Sequence, residues 1–279
     1  MKLRLTLCAL ALLPPLIGAT EIVVGDTRLS IPAPAGFVPV TDDMKPYAEF
    51  ARRFVPETNE QFALFLSPAE AAAAAKGGIP LAERKFYVQT AKTIIQPFVG
   101  AADFDKLKDA IKTQNADYMK KVEAQMPGMM QKLSQGISDD YKVDLNLLMT
   151  QMLPFPPHYE SPRALGYSML VKYSANGPDG KSVPFEGIAT ATFVYVRGKV
   201  LFLYANAEKK GLEWSRTESR KWAEAVIAAN PSEGEVAVRE TTQRASSFDW
   251  GEVGQKALIG AVGGGIIGLF SLLFRKKKA

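Results

Sequence analysis

The feature that most constrains this chain is the stretch from Ala257 to Phe274, eighteen residues without a charge, followed at once by Arg275, Lys276, Lys277 and Lys278. Eighteen apolar residues lie at the lower end of the length needed to cross about 30 Å of hydrocarbon, and a basic cluster directly after them is a stop-transfer pattern. Ser271 is the single polar residue in the stretch. The expectation is a transmembrane helix at 257–274 and a basic cytoplasmic tail at 275–279. Gly260, Gly264 and Gly268 recur every four residues, a spacing that lets helix backbones approach closely in lipid, so they form a candidate helix-pairing face. Gly263, Gly265 and Gly268 also satisfy G-x-G-x-x-G, but no strand precedes them and a dinucleotide role is dismissed.

The beginning of the chain carries a second lipid-directed signal. Lys2 and Arg4 precede an apolar run, Leu5 to Leu16, and Gly18-Ala19 supplies small residues for cleavage, which predicts a signal peptide over 1–19. The one cysteine, Cys8, falls inside it, leaving an exported body without thiols. A cleaved signal and one late helix place the body outside the cytosol. That body has no Asn-x-Ser/Thr acceptor, because Asn230-Pro231-Ser232 is blocked by its proline. The predicted location is the bacterial inner membrane, single pass, with the main domain in the periplasm. The closing Lys-Lys-Lys-Ala, a dilysine form, keeps a eukaryotic secretory-pathway membrane as the alternative.

Charge narrows the function classes. The formal net charge is +5, and taking away the six positives at 2, 4 and 275–278 leaves a body at −1. A body without excess positive charge argues against nucleic-acid binding. One histidine and one cysteine exclude a zinc site of those ligands and a disulfide framework, and no cofactor is expected.

Between the two ends, residues 20–230 form one extracytoplasmic domain and the polar segment 231–256 reads as a tether. Glu21–Val24 and Thr27–Ile31 flank Gly25-Asp26 as a hairpin. A helix starts near Asp43 and a strand is predicted at Gln61–Leu66. Ser67-Pro68-Ala69-Glu70 has the spacing of a capping box opening a second helix. Lys85–Thr90 reads as a further strand. From 102 to 134, Phe104, Leu107, Ile111, Tyr118, Val122, Met126, Met129 and Leu133 recur at steps of three and four, with Asn115 as the one polar interruption, and Pro127-Gly128 is expected to kink or end that long helix. Ala164–Ser174, Phe185–Val196 and Lys199–Ala207 form a meander of strands, and Leu212–Ala229 a helix lying on it through Ser215, Ser219, Trp222, Val226 and Ala229. The fold class is α+β: an antiparallel sheet with packed helices, one long amphipathic helix inserted, and the C-terminal transmembrane helix.

The segment LFLYANAEKKGLEWSRTESRKWAEAVIAANP at 201–231, together with TRLSIPAPAGFVPV at 27–40, resembles the PsbP-like α/β/α sandwich family. The resemblance implies one antiparallel sheet flanked by helices and a binding or assembly role without catalysis. The long helix at 102–134 departs from that pattern and reads as an insertion.

No catalytic constellation emerges. Ser168 lacks the second glycine of a nucleophile elbow and lies within a strand, and His158 has only Glu160 beside it. Two groups remain as candidate partner contacts: Phe155, His158 and Tyr159 in the rigid PFPPHY loop, and Met126, Met129 and Met130 on the long helix. The methionine group suits packing or an adaptable groove better than a Cu(I) site. The resulting expectation is a membrane-anchored periplasmic binding or assembly module, with a protein partner in the envelope and self-association through the anchor. An envelope enzyme of unrecognised type, or a factor organising the membrane through its glycine face, is the alternative.

Overall fold

A computed structural model describes residues 18–80, 82–113, 115–141, 146–176, 181–232 and 248–275; for 115–119, 140–141 and 264–275 the backbone alone is described. Most of the predicted signal peptide (1–17), most of the predicted tether (233–247) and the end of the basic tail (276–279) lie outside the described residues.

Two short strands open the fold, β1 (Thr20–Val24) and β2 (Thr27–Ile31), paired antiparallel as the hairpin reading expects. The main sheet is antiparallel throughout. It is built from β3 (Val38–Pro39), β4 (Asn59–Leu66), β5 (Lys85–Ala91), β6 (Leu147–Pro154), β7 (Tyr159–Ser161), β8 (Ala164–Asn176), β9 (Ser182–Val196) and β10 (Lys199–Glu208). Their spatial order is β3-β4-β5-β10-β9-β8-β6, and β7 pairs with β8 beyond β6. The three-strand meander read from sequence is thus its centre, with β5 inserted against β10.

Among the described residues six α-helical segments pack on this sheet: α1 (Lys45–Arg52), α2 (Pro68–Ala75), α3 (Ala101–Thr113), α4 (Asn115–Tyr141), α5 (Leu212–Ala229) and α6 (Trp250–Arg275). The capping box at α2 is present in full, with Ser67 accepting from the Glu70 amide and Glu70 accepting from the Ser67 amide. One sheet face is covered by α5 and the β1–β2 hairpin, where Trp222, Ala223 and Val226 meet Phe65, Phe86 and Val88. The opposite face is covered by α1, α3, α4 and α6.

Two expectations for the helices need correction. The stripe at 102–134 falls on α3 and α4, with residue 114 between them outside the described residues, and Pro127 does not end its helix, which runs to Tyr141. Pro127 sits on the exposed side, and so does Glu123, whose carbonyl loses its helical donor. The larger correction concerns the end of the chain. Among the described residues no helix is long and apolar enough to cross a membrane. Helix α6, expected as the anchor, instead packs on the sheet: Trp250, Val253, Ala257, Leu258, Ile259, Ala261 and Val262 are buried in the same core as Tyr87, Tyr173 and Tyr204.

The physical reason lies in how the helix meets the strands. Asn59 donates to the carbonyl of Lys256 at 3.1 Å, Tyr204 to that of Ala257 at 2.7 Å, Tyr87 to that of Gly260 at 3.2 Å, and Tyr173 to that of Val262 at 2.8 Å. A Cβ on Gly260 would lie 2.6 Å from both Gln89 Oε1 and the Tyr204 hydroxyl, so only glycine lets the helix come this close. On its other side Gly254 faces Ile111 of α3. A helix enclosed on several sides needs uniform apolarity and small residues, the composition that was read as a lipid span. The fold class is α+β with antiparallel sheets and packed helices, without the transmembrane element. The single-pass inner-membrane location, its secretory-pathway alternative, and a membrane partner or dimer through the anchor fall with it.

Candidate functional site

Helix α4, the α1–β4 connection and α6 enclose a cleft of about 650 Å³. Met126 and Met129 of α4, Phe54 and Val55 before β4, and Ile259 of α6 give it apolar walls. Two of the walls follow from local sequence. Met126, Met130, Leu133 and Ile137 recur at steps of four, three and four, so α4 turns one buried stripe inward. Gly263 lets α6 approach the turn at Phe54, whose carbonyl would lie 2.3 Å from a Cβ at that position. Charge is confined to the rim. Lys132 reaches Glu57 at 3.4 Å across the mouth, and Arg53 donates to the carbonyl of Gly136 at 3.3 Å.

The sequence-selected methionines divide at this site. Met126 and Met129 line the cleft, whereas Met130 is buried in the core and does not reach it. Among the described residues no group of three or more His, Cys, Asp or Glu side chains is placed to hold a metal ion.

The PFPPHY loop lies elsewhere, tacked to α5 by stacked cations. Arg216 sits over the Phe155 ring at 5.4 Å and Arg220 over Tyr159 at 5.1 Å. His158 Nδ1 lies 3.4 Å from Ser168 Oγ, a contact that sequence spacing did not suggest. Ser168 is fully buried and belongs to a hydroxyl chain. Its Oγ lies 2.9 Å from Thr190 Oγ1, which lies 2.8 Å from Ser215 Oγ, and Ser215 donates to the carbonyl of Leu212. Burial and then the charge of Arg216 lower the His158 pKa to about 4, so the imidazole is neutral at physiological pH. A serine closed off from solvent cannot meet a substrate, so this pair joins strand to helix. Gly260, the first of the three candidate pairing glycines, faces the sheet; the surroundings of Gly264 and Gly268 lie outside the described residues.

No protein-family model matches the chain. No curated protein matches it in sequence. The fold has a weak, low-identity resemblance to the PsbP-like fold. Cyanobacterial PsbP (CyanoP) from Synechocystis sp. PCC 6803 aligns at 8% identity and TM-score 0.25, covering 72% of this chain and 84% of that one. The Ran-binding protein Mog1p of Saccharomyces cerevisiae aligns at 8% identity and TM-score 0.24, covering 76% of this chain and 92% of that one.

Proposed function

We propose that this protein is a binding module whose cleft holds the apolar body of a small amphipathic molecule, with an acidic end placed against Lys132 and Arg53. The observation that carries this reading is the distribution of chemistry in the cleft: apolar walls around about 650 Å³, with charge only at its mouth. That volume falls within the range typical of small-molecule sites. Thioether side chains are flexible and polarisable, so walls built on Met126 and Met129 adapt to apolar bodies of different outline. The ionisable lining residues, Arg53, Glu57 and Lys132, are all exposed at the rim. A wall without ionisable side chains away from its rim is suited to holding a ligand more than to transforming one.

Calorimetric titration with dodecanoate and with dodecanol tests the reading. Ala124 lines the cleft from an exposed position, so Ala124→Trp should fill the space without disturbing the core and weaken both ligands at least tenfold. Lys132→Glu should weaken dodecanoate and leave dodecanol unchanged. Absence of binding, or affinities indifferent to Ala124→Trp, would remove this function.

A further inference from the structure

The outer edge of the main sheet has a second property, independent of what the cleft holds. Among the described residues strand β6 is a terminal strand, paired to β8 on one side only. Sheet edges are usually guarded by charge, because unpaired backbone groups recruit other strands. The eight residues of β6, LLMTQMLP, contain no charge. Of the three large apolar side chains exposed among the described residues, Leu148 and Leu153 are both on this strand.

The order of residues is the decisive observation. Leu148-Met149-Thr150-Gln151-Met152-Leu153 reads as a palindrome of chemical type about its centre. A regular strand would place Leu148 and Leu153 on opposite faces, since an odd separation alternates. The register of β6 against β8 shifts between Met149 and Gln151, leaving Thr150 as the extra residue of a bulge. Met149 is therefore opposite Tyr173 and Met152 opposite Val171, both facing the core, while Leu148 and Leu153 lie opposite Ser174 and Leu170 on the other face. The bulge makes the strand two-fold symmetric in space as well as in sequence.

The backbone agrees. Asn176 donates to the carbonyl of Asn146 and Phe155 donates to that of Ser168, which fixes the residues directed at β8. By alternation on either side of the bulge, Leu147, Met149, Met152 and Pro154 direct their backbone groups outward. The Leu147 amide is already taken by Ser134 Oγ at 2.9 Å, and Pro154 has no amide. Among the described residues the outward donors without a partner are those of Met149 and Met152, one pair related by the same centre.

We propose that β6 is a homodimerisation edge, pairing antiparallel with β6 of a second copy so that Leu148 meets Leu153 and Met149 meets Met152 across a two-fold axis. An isologous contact of this kind requires a self-complementary patch, and an uncharged strand brings no like charges together across the axis. The capped Leu147 amide and Pro154 limit the pairing to the central residues.

Light scattering coupled to size-exclusion chromatography, over a hundredfold range of concentration, should show a mass rising towards twice that of the monomer. Leu148→Lys with Leu153→Lys, both at exposed positions, should hold the mass at the monomer value with an unchanged circular dichroism spectrum. The register is tested in a Cys8→Ser background: Leu148→Cys with Leu153→Cys should give an oxidised, covalent dimer, and neither single cysteine should. A monomer at every concentration, a dimer that survives the lysines, or crosslinking by the single variants would overturn the proposal.

Discussion

The hydroxyl of Tyr204 donates a 2.7 Å hydrogen bond to the carbonyl of Ala257, joining the central strand β10 to the first third of helix α6, where its apolar run begins. Tyr204 also stacks on Tyr87 at 4.6 Å between ring centroids, and Tyr87 donates to the carbonyl of Gly260 one turn further on. The underside of α6 is thus read by phenols, which grip the backbone at Ala257 and Gly260, where the side chains are a methyl and a hydrogen.

Gly260→Ala follows directly. On an exposed helix this change stabilises by about 1 kcal/mol through propensity. Here the new methyl meets Gln89, Tyr204 and Asn59 at 2.6–2.8 Å. Overpacking of a filled core costs about 1–3 kcal/mol, so the net effect is destabilising. The urea midpoint of the variant should fall; an unchanged or raised midpoint would mean that α6 does not dock as described.

Lys199 anchors the β1–β2 turn to the main sheet. Its ammonium, 1% exposed, donates to the carbonyls of Ile95, Gln96 and Pro97 at 3.0–3.2 Å and lies 3.2 Å from Asp26. Lys199→Met leaves three carbonyls without this donor and should cost about 3 kcal/mol in chemical denaturation. Hydrogen bonds from Lys199 and Thr27 hold the carboxyl of Asp26 below the usual carboxylate range. That contribution is present at neutral pH and lost as pH falls through the acid range, so Asp26→Asn should flatten the acid limb of the stability curve. A superimposable acid limb would contradict it.

Lys85 gives a second pH signature. It is fully buried, donates to the carbonyl of Ala82 at 3.1 Å, and burial lowers its pKa to about 7. Between that value and the ordinary lysine pKa, the unfolded chain holds a proton that the folded chain lacks, so stability rises with pH above about 7. Burial raises the pKa values of Tyr87, Tyr173 and Tyr204, whose ionisation on unfolding reverses the trend above about pH 10. Denaturation midpoints should peak near pH 10, and Lys85→Met should abolish the rise. A rise that persists in the variant would assign it to another group.

His158 acts at lower pH. Its neutral form is favoured in the fold down to about pH 4, whereas the unfolded imidazole gains its proton near 6.5. Stability should therefore decline as pH falls from about 6.5 to about 4, and His158→Gln should remove that portion of the decline. Nuclear magnetic resonance titration of the single imidazole measures the pKa directly, and a value near 6.5 would overturn the assignment.

Much of the sheet was legible because its signals are local. The β1–β2 hairpin announces itself through Gly25-Asp26, the cap of α2 through Ser67 and Glu70, and α5 through a stripe bounded by Asn230-Pro231. Strand β6 was missed because its buried residues change spacing at the bulge, which destroys the period-two signal. The cleft was half visible: α4 displayed Met126 and Met129, but the wall from Phe54 and Val55 arrives through tertiary packing alone. The environment of α6 was invisible in the hydropathy of the helix itself. Hydropathy measures how strongly a helix avoids water, and a helix between a sheet and two others avoids it as thoroughly as one in lipid. The distinguishing signal lay in the strands, where Asn59, Tyr87, Tyr173 and Tyr204 turn polar groups towards the space the helix fills.

The order of synthesis gives this arrangement a kinetic side. Strand β10 leaves the ribosome some fifty residues before the turn of α6 that it binds. During that interval the tyrosine-lined floor stands wet, and the strands cannot lock until the glycine-bearing segment arrives. Nascent chains arrested before residue 250 should therefore remain open to protease at β5 and β10, making the last helix the event that commits the molecule to its native state.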